Sequence, residues 1–246
     1  MELAKERKGP IVTGIPKRGL LTFLGETKVG KSHFGASFPK SIVGSMEKGR
    51  TDRISYGRIH DISSLDEYSE FIELVMADDS IETVVLDTID SLQDWLQEDC
   101  GLKKPITAGV DRRAQWGDYT GRIKAMTDYF KESDKLVVIL GHKRAAVLDS
   151  DARVTKPAGL NVSGKGGDYI LQQSEAVGEL GTRVLAGVPQ YYLSFKGTSD
   201  SGSFRSGIEE LVGKEVILPK SNPYSAFASL FNKKEAAPIQ LKEKKK

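Results

Sequence analysis

Eight consecutive residues, Gly25-Glu26-Thr27-Lys28-Val29-Gly30-Lys31-Ser32, carry the most specific chemistry in this 246-residue sequence. The two glycines let the backbone turn successive N–H groups inward around phosphate oxygens, through dihedral angles that a Cβ disfavours. A lysine directly after the second glycine reaches β- and γ-phosphate oxygens, and the serine hydroxyl that follows it is a ligand for Mg²⁺. The stretch Gly25, Glu26, Thr27, Lys28, Val29, Gly30, Lys31, Ser32 and His33 therefore reads as a nucleotide-binding loop with ATP and Mg²⁺ as cofactors. The apolar run 20–24 (LLTFL) precedes it, and a short helical stretch, 32–38, follows and stops at Pro39. That strand–turn–helix context is what separates the motif from a chance glycine turn. The start of the helix adds the positive end of its dipole.

A triphosphate loop needs a second acid at the end of another buried strand. Val84-Val85-Leu86-Asp87 supplies it, with Asp87 placed to hold the Mg²⁺ shell beside Ser32. The next residue is Thr88, where many hydrolysing P-loop enzymes carry the water-activating glutamate. The carboxylate is then expected elsewhere. Glu47 closes the short strand after the loop helix, while Asp90, one helical step past Asp87, is the weaker rival. His142 follows the apolar run 136–140, on the strand edge that faces the same pocket in a parallel sheet. There it would touch the γ-phosphate or its water and act as a sensor. The side chains of His33 and His60 have no comparable placement and carry no assigned chemistry.

The elements that must position these groups alternate. Apolar runs at 20–24, 41–46, 83–86 and 136–140 read as buried strands, and Ile54–His60 as a further extended piece. Between them, helical spacing appears after Ser64, after Asp87 and over 114–132, whereas 101–113 looks like a loop. The pattern predicts an α/β fold with a mainly parallel sheet and helices on both faces. Residues 143–167 are polar and without a period, which predicts a mobile loop. Glu175–Ala186 reads as a hairpin turning at Gly181–Thr182, followed by Tyr191–Phe195, so antiparallel strands are expected toward the C-terminal edge. Residues 222–231 suggest a short helix. The expected division is a basic segment over 1–18, an ATP-binding domain over 19–231 and a basic disordered tail over 232–246.

The net charge of +2 is unevenly spread: residues 233–246 contribute +4 and residues 1–18 contribute +3, leaving 19–232 at −5. A uniformly basic nucleic-acid binder is thereby excluded, and any DNA contact must come from the termini or local loops. The tail equally suits a solvated, solubilising end. No apolar run approaches the roughly 18 residues of a membrane span. The charged start, MELAKERKGP, lacks the apolar core of a secretory signal, and the single cysteine, Cys100, fits a reducing cytoplasm. The expectation is a cytoplasmic protein with no membrane partner.

Taken in order, Gly25–Ser32 with Phe38-Pro39, VVLDTIDSL (84–92), Trp116-Gly117 with Tyr119, and VVILGHKR (137–144) resemble the phage-encoded RecA-core nucleotide-binding family. That family includes single-strand annealing recombinases of the Sak type, and the resemblance covers about residues 19–231. It implies a RecA-like P-loop NTPase core in which Lys31, Ser32 and Asp87 carry ATP and Mg²⁺, Glu47 is the catalytic carboxylate and His142 the sensor. It also implies that the segment after His142 approaches single-stranded DNA, with Lys143, Arg144, Arg153, Lys156 and Lys165 pairing with phosphates. Arg112 and Arg113, beside Trp116, would add an earlier DNA-facing loop. A base-stacking role for Trp116 is weighed against an aromatic anchor at a helix start, and the anchor is preferred.

The leading expectation is an ATPase of RecA type that binds single-stranded DNA, anneals strands and assembles into a ring or filament, in phage recombination. Lys196 and Arg205 are candidates to reach a neighbour's γ-phosphate, and a single-stranded-DNA-binding protein is a further partner. The alternative is a nucleotide-switched protein acting on a replication or packaging factor with slow hydrolysis, which Thr88 keeps open. A small-molecule kinase lacks a lid-like arginine cluster, and a nuclease lacks clustered carboxylates outside the Mg²⁺ site.

Overall fold

In β1 (Gly19–Gly25) every residue is buried, and alternate side chains serve opposite sides. Leu20 and Leu24 join one apolar cluster, whereas Leu21 and Phe23 join another. A strand apolar on both faces must sit inside a sheet covered on both faces. The computed structural model of the chain, which describes residues 14–47, 54, 57–105, 111–197, 204 and 206–231, has that architecture.

The other strands are β2 (Ser41–Ser45), β3 (Arg58–Asp61), β4 (Thr83–Asp87), β5 (Leu136–Arg144), β6 (Val147–Leu148), β7 (Val154–Lys156), β8 (Gly159–Leu160), β9 (Ala176–Leu185), β10 (Val188–Ser194) and β11 (Glu215–Leu218). The main sheet runs β3-β2-β4-β5-β1-β9-β10-β11, with β8 paired to the end of β5. From β3 to β9 all pairings are parallel, and β10 and β11 are antiparallel additions. The helices are α1 (Lys31–Ala36), α2 (Leu65–Ala77), α3 (Ile89–Asp99), α4 (Arg112–Glu132), α5 (Gly166–Gln173) and α6 (Pro223–Ser229). Helices α2 to α5 pack on the face of Leu20 and Leu24, and α1 and α6 on the face of Phe23. This is an α/β P-loop NTPase core of RecA type with antiparallel strands toward the C-terminal edge.

Local chemistry accounts for the element ends. Ser64 caps α2 by accepting from the Glu67 amide at 3.2 Å, which satisfies one of the helix's open donors. Asp111 caps α4 in the same way, through the Arg113 amide at 2.9 Å. Arg112 and Arg113 are thus the first turn of a helix, not part of a loop. The extended piece expected over 54–60 is the short strand Arg58–Asp61.

Two further expectations are corrected. Residues 143–167 are not one structureless loop: β5 continues to Arg144, β6 and β7 form a small hairpin, and β8 returns to pair Lys143 with Leu160. The hairpin read at Gly181–Thr182 is absent, because β9 runs straight through those residues and pairs in parallel with β1 over Leu21–Gly25. The turn lies at Ala186–Gly187, between β9 and β10. A Cβ on residue 181 would lie 2.4 Å from the Tyr192 ring on β10, so Gly181 makes room for a cross-strand aromatic.

Candidate functional site

The carboxyl ends of the central strands share one edge. Gly25 of β1 stands opposite His142 of β5, and Ser45 of β2 stands opposite Asp87 of β4. In open α/β sheets this edge is where ligands bind.

The chain leaves β1 at Gly25, where a Cβ would sit 2.5 Å from the Leu180 carbonyl oxygen. Only glycine fits. Lys28 and Gly30 then take left-handed conformations, at φ 70° and 87°, which reverse the chain into α1. Lys31 is buried at 7% exposure. Its ammonium donates to the carbonyls of Gly25 at 3.0 Å and Glu26 at 2.8 Å, so the charge spans the mouth of the loop. A lysine ammonium bonded to two carbonyls can exchange them for phosphate oxygens, which are stronger, charged acceptors.

Asp87 is buried at 5% exposure, and its carboxylate accepts a hydrogen bond from the Ser32 hydroxyl. Its carboxyl is pushed above the usual range, first by burial and next by the nearby Glu47, against the pull of Ser32, Lys31 and His142. A divalent cation would relieve this unfavourable charge. The donor set fits Mg²⁺, which takes one or two protein oxygens and completes its shell with phosphate oxygens and water. Among the described residues no group of three His, Cys, Asp or Glu side chains forms an all-protein metal cage.

Glu47 follows β2, whose end is tied to β4 by the Met46 amide donating to the Asp87 carbonyl at 2.7 Å. The Thr88 hydroxyl donates to the Glu47 carboxylate at 3.3 Å. The threonine after Asp87 thus orients an acid that comes from another strand. His142 is held by Asp90 of α3: one carboxylate oxygen accepts from the His142 amide at 2.9 Å and lies 3.3 Å from its Nδ1. The other Asp90 oxygen is buried and has no hydrogen-bond partner among the described residues. Lys31, Ser32, Glu47, Asp87, Thr88 and His142 all line one cleft of about 540 Å³, with Tyr191 of β10 on its wall. Sequence reasoning considered Asp90 only as a base and did not single out Tyr191. Neither role has a local signature, since each arises from a strand or helix paired far along the chain.

The basic residues divide into two groups. Arg112 donates to the carbonyls of Leu102 and Lys104. Lys143 bonds Glu179 at 2.7 Å and lies over the Phe204 ring. Arg144 donates to the carbonyls of Leu160 and Pro157, both at 3.4 Å, and lies 3.8 Å from Asp168. Arg113, Arg153 and Lys165 are exposed and Lys156 half-buried, all outside the nucleotide cleft. Trp116 packs edge-on against Tyr119 at 5.7 Å and remains 39% exposed. Lys196 lies 3.6 Å from Glu215, and Arg205 falls outside the described residues.

A loop turned by left-handed Lys28 and Gly30, with a buried lysine, a serine–aspartate oxygen pair and a second acid, defines a P-loop nucleotide-binding protein. A family model described as an AAA domain matches residues 18–201, about three quarters of the chain, and the chain belongs to that family. No curated protein matches it. No helix among the described residues is long and apolar enough to cross a membrane.

Proposed function

We propose that the chain is an ATP- and Mg²⁺-dependent ATPase that binds single-stranded DNA and promotes strand annealing in homologous recombination, as a ring or filament of its own copies. The observation that carries the nucleotide part is the convergence of Lys31, Ser32, Asp87, Glu47 and His142 on one cleft. Lys31 neutralises the triphosphate and Ser32 and Asp87 hold the metal, which withdraws charge from the γ-phosphate when bound. Glu47, oriented by Thr88, accepts a proton from the attacking water, and His142, held by Asp90, contacts the γ-phosphate. The DNA part is supported by the segment that follows β5, two residues past His142, which carries exposed Arg153 and Lys165 and half-buried Lys156. Lys143, Arg144, Arg112 and Arg113 complete the candidate DNA-facing set, with Lys196 and Arg205 as candidates for contact with a neighbouring subunit's nucleotide.

Strand annealing by wild type and Lys31→Ala, with and without ATP, tests this reading. Loss of the ATP-dependent annealing in the variant supports it, whereas full activity removes nucleotide from the mechanism. DNA binding should also weaken steeply with salt, as phosphate pairing requires.

A second reading is favoured by the internal partners of Lys143, Arg144 and Arg112, which occupy charge otherwise available to DNA. In it the chain is a nucleotide-switched protein acting on a replication or packaging partner. An ATPase rate unchanged by single-stranded DNA would favour that reading.

A further inference from the structure

We propose that a second, apolar slot beside the phosphate loop holds the heterocyclic base of the bound nucleotide, with Tyr191 as its stacking wall. The proposal rests on the triphosphate reading above and locates recognition beyond the phosphates. The slot is lined by Val29, His33, Tyr191, Leu218, Pro219 and Pro223, and has a volume of about 280 Å³. Sites for whole small molecules span roughly 300–1,000 Å³, so this slot suits one ring system and not an entire nucleotide. Gly30, His33 and Tyr191 line both the slot and the phosphate cleft, which makes the two continuous. A ligand with its phosphates over Lys31 would run past Gly30 and place its other end in the slot.

The walls are built, not incidental. The antiparallel register of β10 and β11 sets Tyr191 directly beside Leu218. Ring carbons of Tyr191 lie 3.7 and 3.9 Å from where a Cβ on residue 30 would sit, so Gly30 keeps the space between loop and ring clear. His33 Nε2 lies 2.6 Å from the Lys220 carbonyl. A carbonyl only accepts, so Nε2 carries the proton and donates. The Tyr224 amide donates to the Ser37 hydroxyl at 2.9 Å. These two bonds fasten the outer wall to α1, the helix that the phosphate loop feeds. Tyr191 and His33 lie inside the 18–201 stretch of the family match, whereas the outer wall, residues 218–223, lies beyond it and comes from the C-terminal strand and helix.

Calorimetric titration of the full chain with Mg-tripolyphosphate and with MgATP separates base from phosphate. Wild type should bind ATP about tenfold tighter or more, a gain of the size that base–aromatic stacking provides. Tyr191→Ala should lose most of that advantage while keeping tripolyphosphate affinity within about twofold, and Tyr191→Phe should retain it. If Tyr191→Ala loses tripolyphosphate binding too, Pro219→Asp, which places a charge on the exposed rim, decides: ATP affinity should fall and tripolyphosphate affinity should hold. Equal binding of both ligands by wild type, or an ATP advantage that survives the deciding variant, overturns the slot and leaves the triphosphate site standing. Failure of wild type to bind either ligand would instead remove the proposed function.

Discussion

Two buried lysines stand at opposite ends of the sheet and make the same bonds. Lys31, 7% exposed, donates to the carbonyls of Gly25 and Glu26, and Lys135, 8% exposed, donates to those of Asp78 and Ile81. The depression around Lys135 is the larger, at about 930 Å³ against 540 Å³. Yet among the described residues it gathers no glycine loop and no buried serine–aspartate pair. The difference lies in what the carbonyls belong to. Those bound by Lys135 fasten the turn before β4 to the start of β5. Those bound by Lys31 lie where β1 passes into a glycine loop with left-handed residues at Lys28 and Gly30. Cavity size and lysine burial therefore do not identify a site, whereas the possibility of exchanging a lysine's partners for a ligand does.

The sharpest way to break this comparison is Lys31→Ala. MgATP affinity should fall roughly 100-fold or more, as loss of charged hydrogen bonds to phosphate predicts. Its urea midpoint should fall as well, because the Gly25 and Glu26 carbonyls lose their donor, and calorimetry beside urea unfolding would show both. Lys135→Ala should likewise destabilise the fold, by about 2–4 kcal/mol through two stranded carbonyls, but should leave ATP affinity intact. If Lys135→Ala weakens ATP binding as strongly as Lys31→Ala, the two ends are not distinct.

Asp90→Asn sharpens the picture within the cleft. It should lower ATP turnover about tenfold, with ATP affinity nearly unchanged, by loosening the His142 ring. An unaltered turnover would deny His142 a part in the reaction. The smallest effect is expected at the exposed pair Lys40–Glu82, 2.5 Å apart. The Lys40 bond holds the Glu82 carboxyl below its ordinary value of 4.5. Its slight stabilisation is then present above that value and fades as pH falls through the lower folded one. Lys40→Ala should leave the unfolding midpoint within experimental scatter at pH 7 and at pH 3. A large shift would mean that exposed lysines matter here as much as buried ones.

The phosphate loop, the strand ending in Asp87 and the strand ending before His142 were legible because each is written in a few contiguous residues. Glu47 and His142 could be singled out as strand-end groups, and the structure brings both to the cleft. Residues 143–167 were illegible for a physical reason. Their strands are two or three residues long, too short for any period; β8 exists by pairing with the end of β5, and β6 and β7 by pairing with each other. Helix α5 begins with Gly166 and Gly167, which conceal it from propensity. Gly181 looked like a turn residue because the partner that requires a glycine there, Tyr192, lies across a strand pair. The parallel pairing of β9 with β1 left no local mark, since the residues of a strand do not encode which strand lies beside it or in which direction it runs.

The return of the last helix to the first has a consequence for synthesis. Phe227 of α6 packs edge-on against Phe23 and Phe34, and Tyr224 bonds Ser37, so the wall beside the nucleotide loop comes from residues made nearly two hundred positions later. While the ribosome is still extending the chain, Phe34 and Phe38 have no cover on that side. The motif emerges early, but its pocket closes only when translation has passed α6.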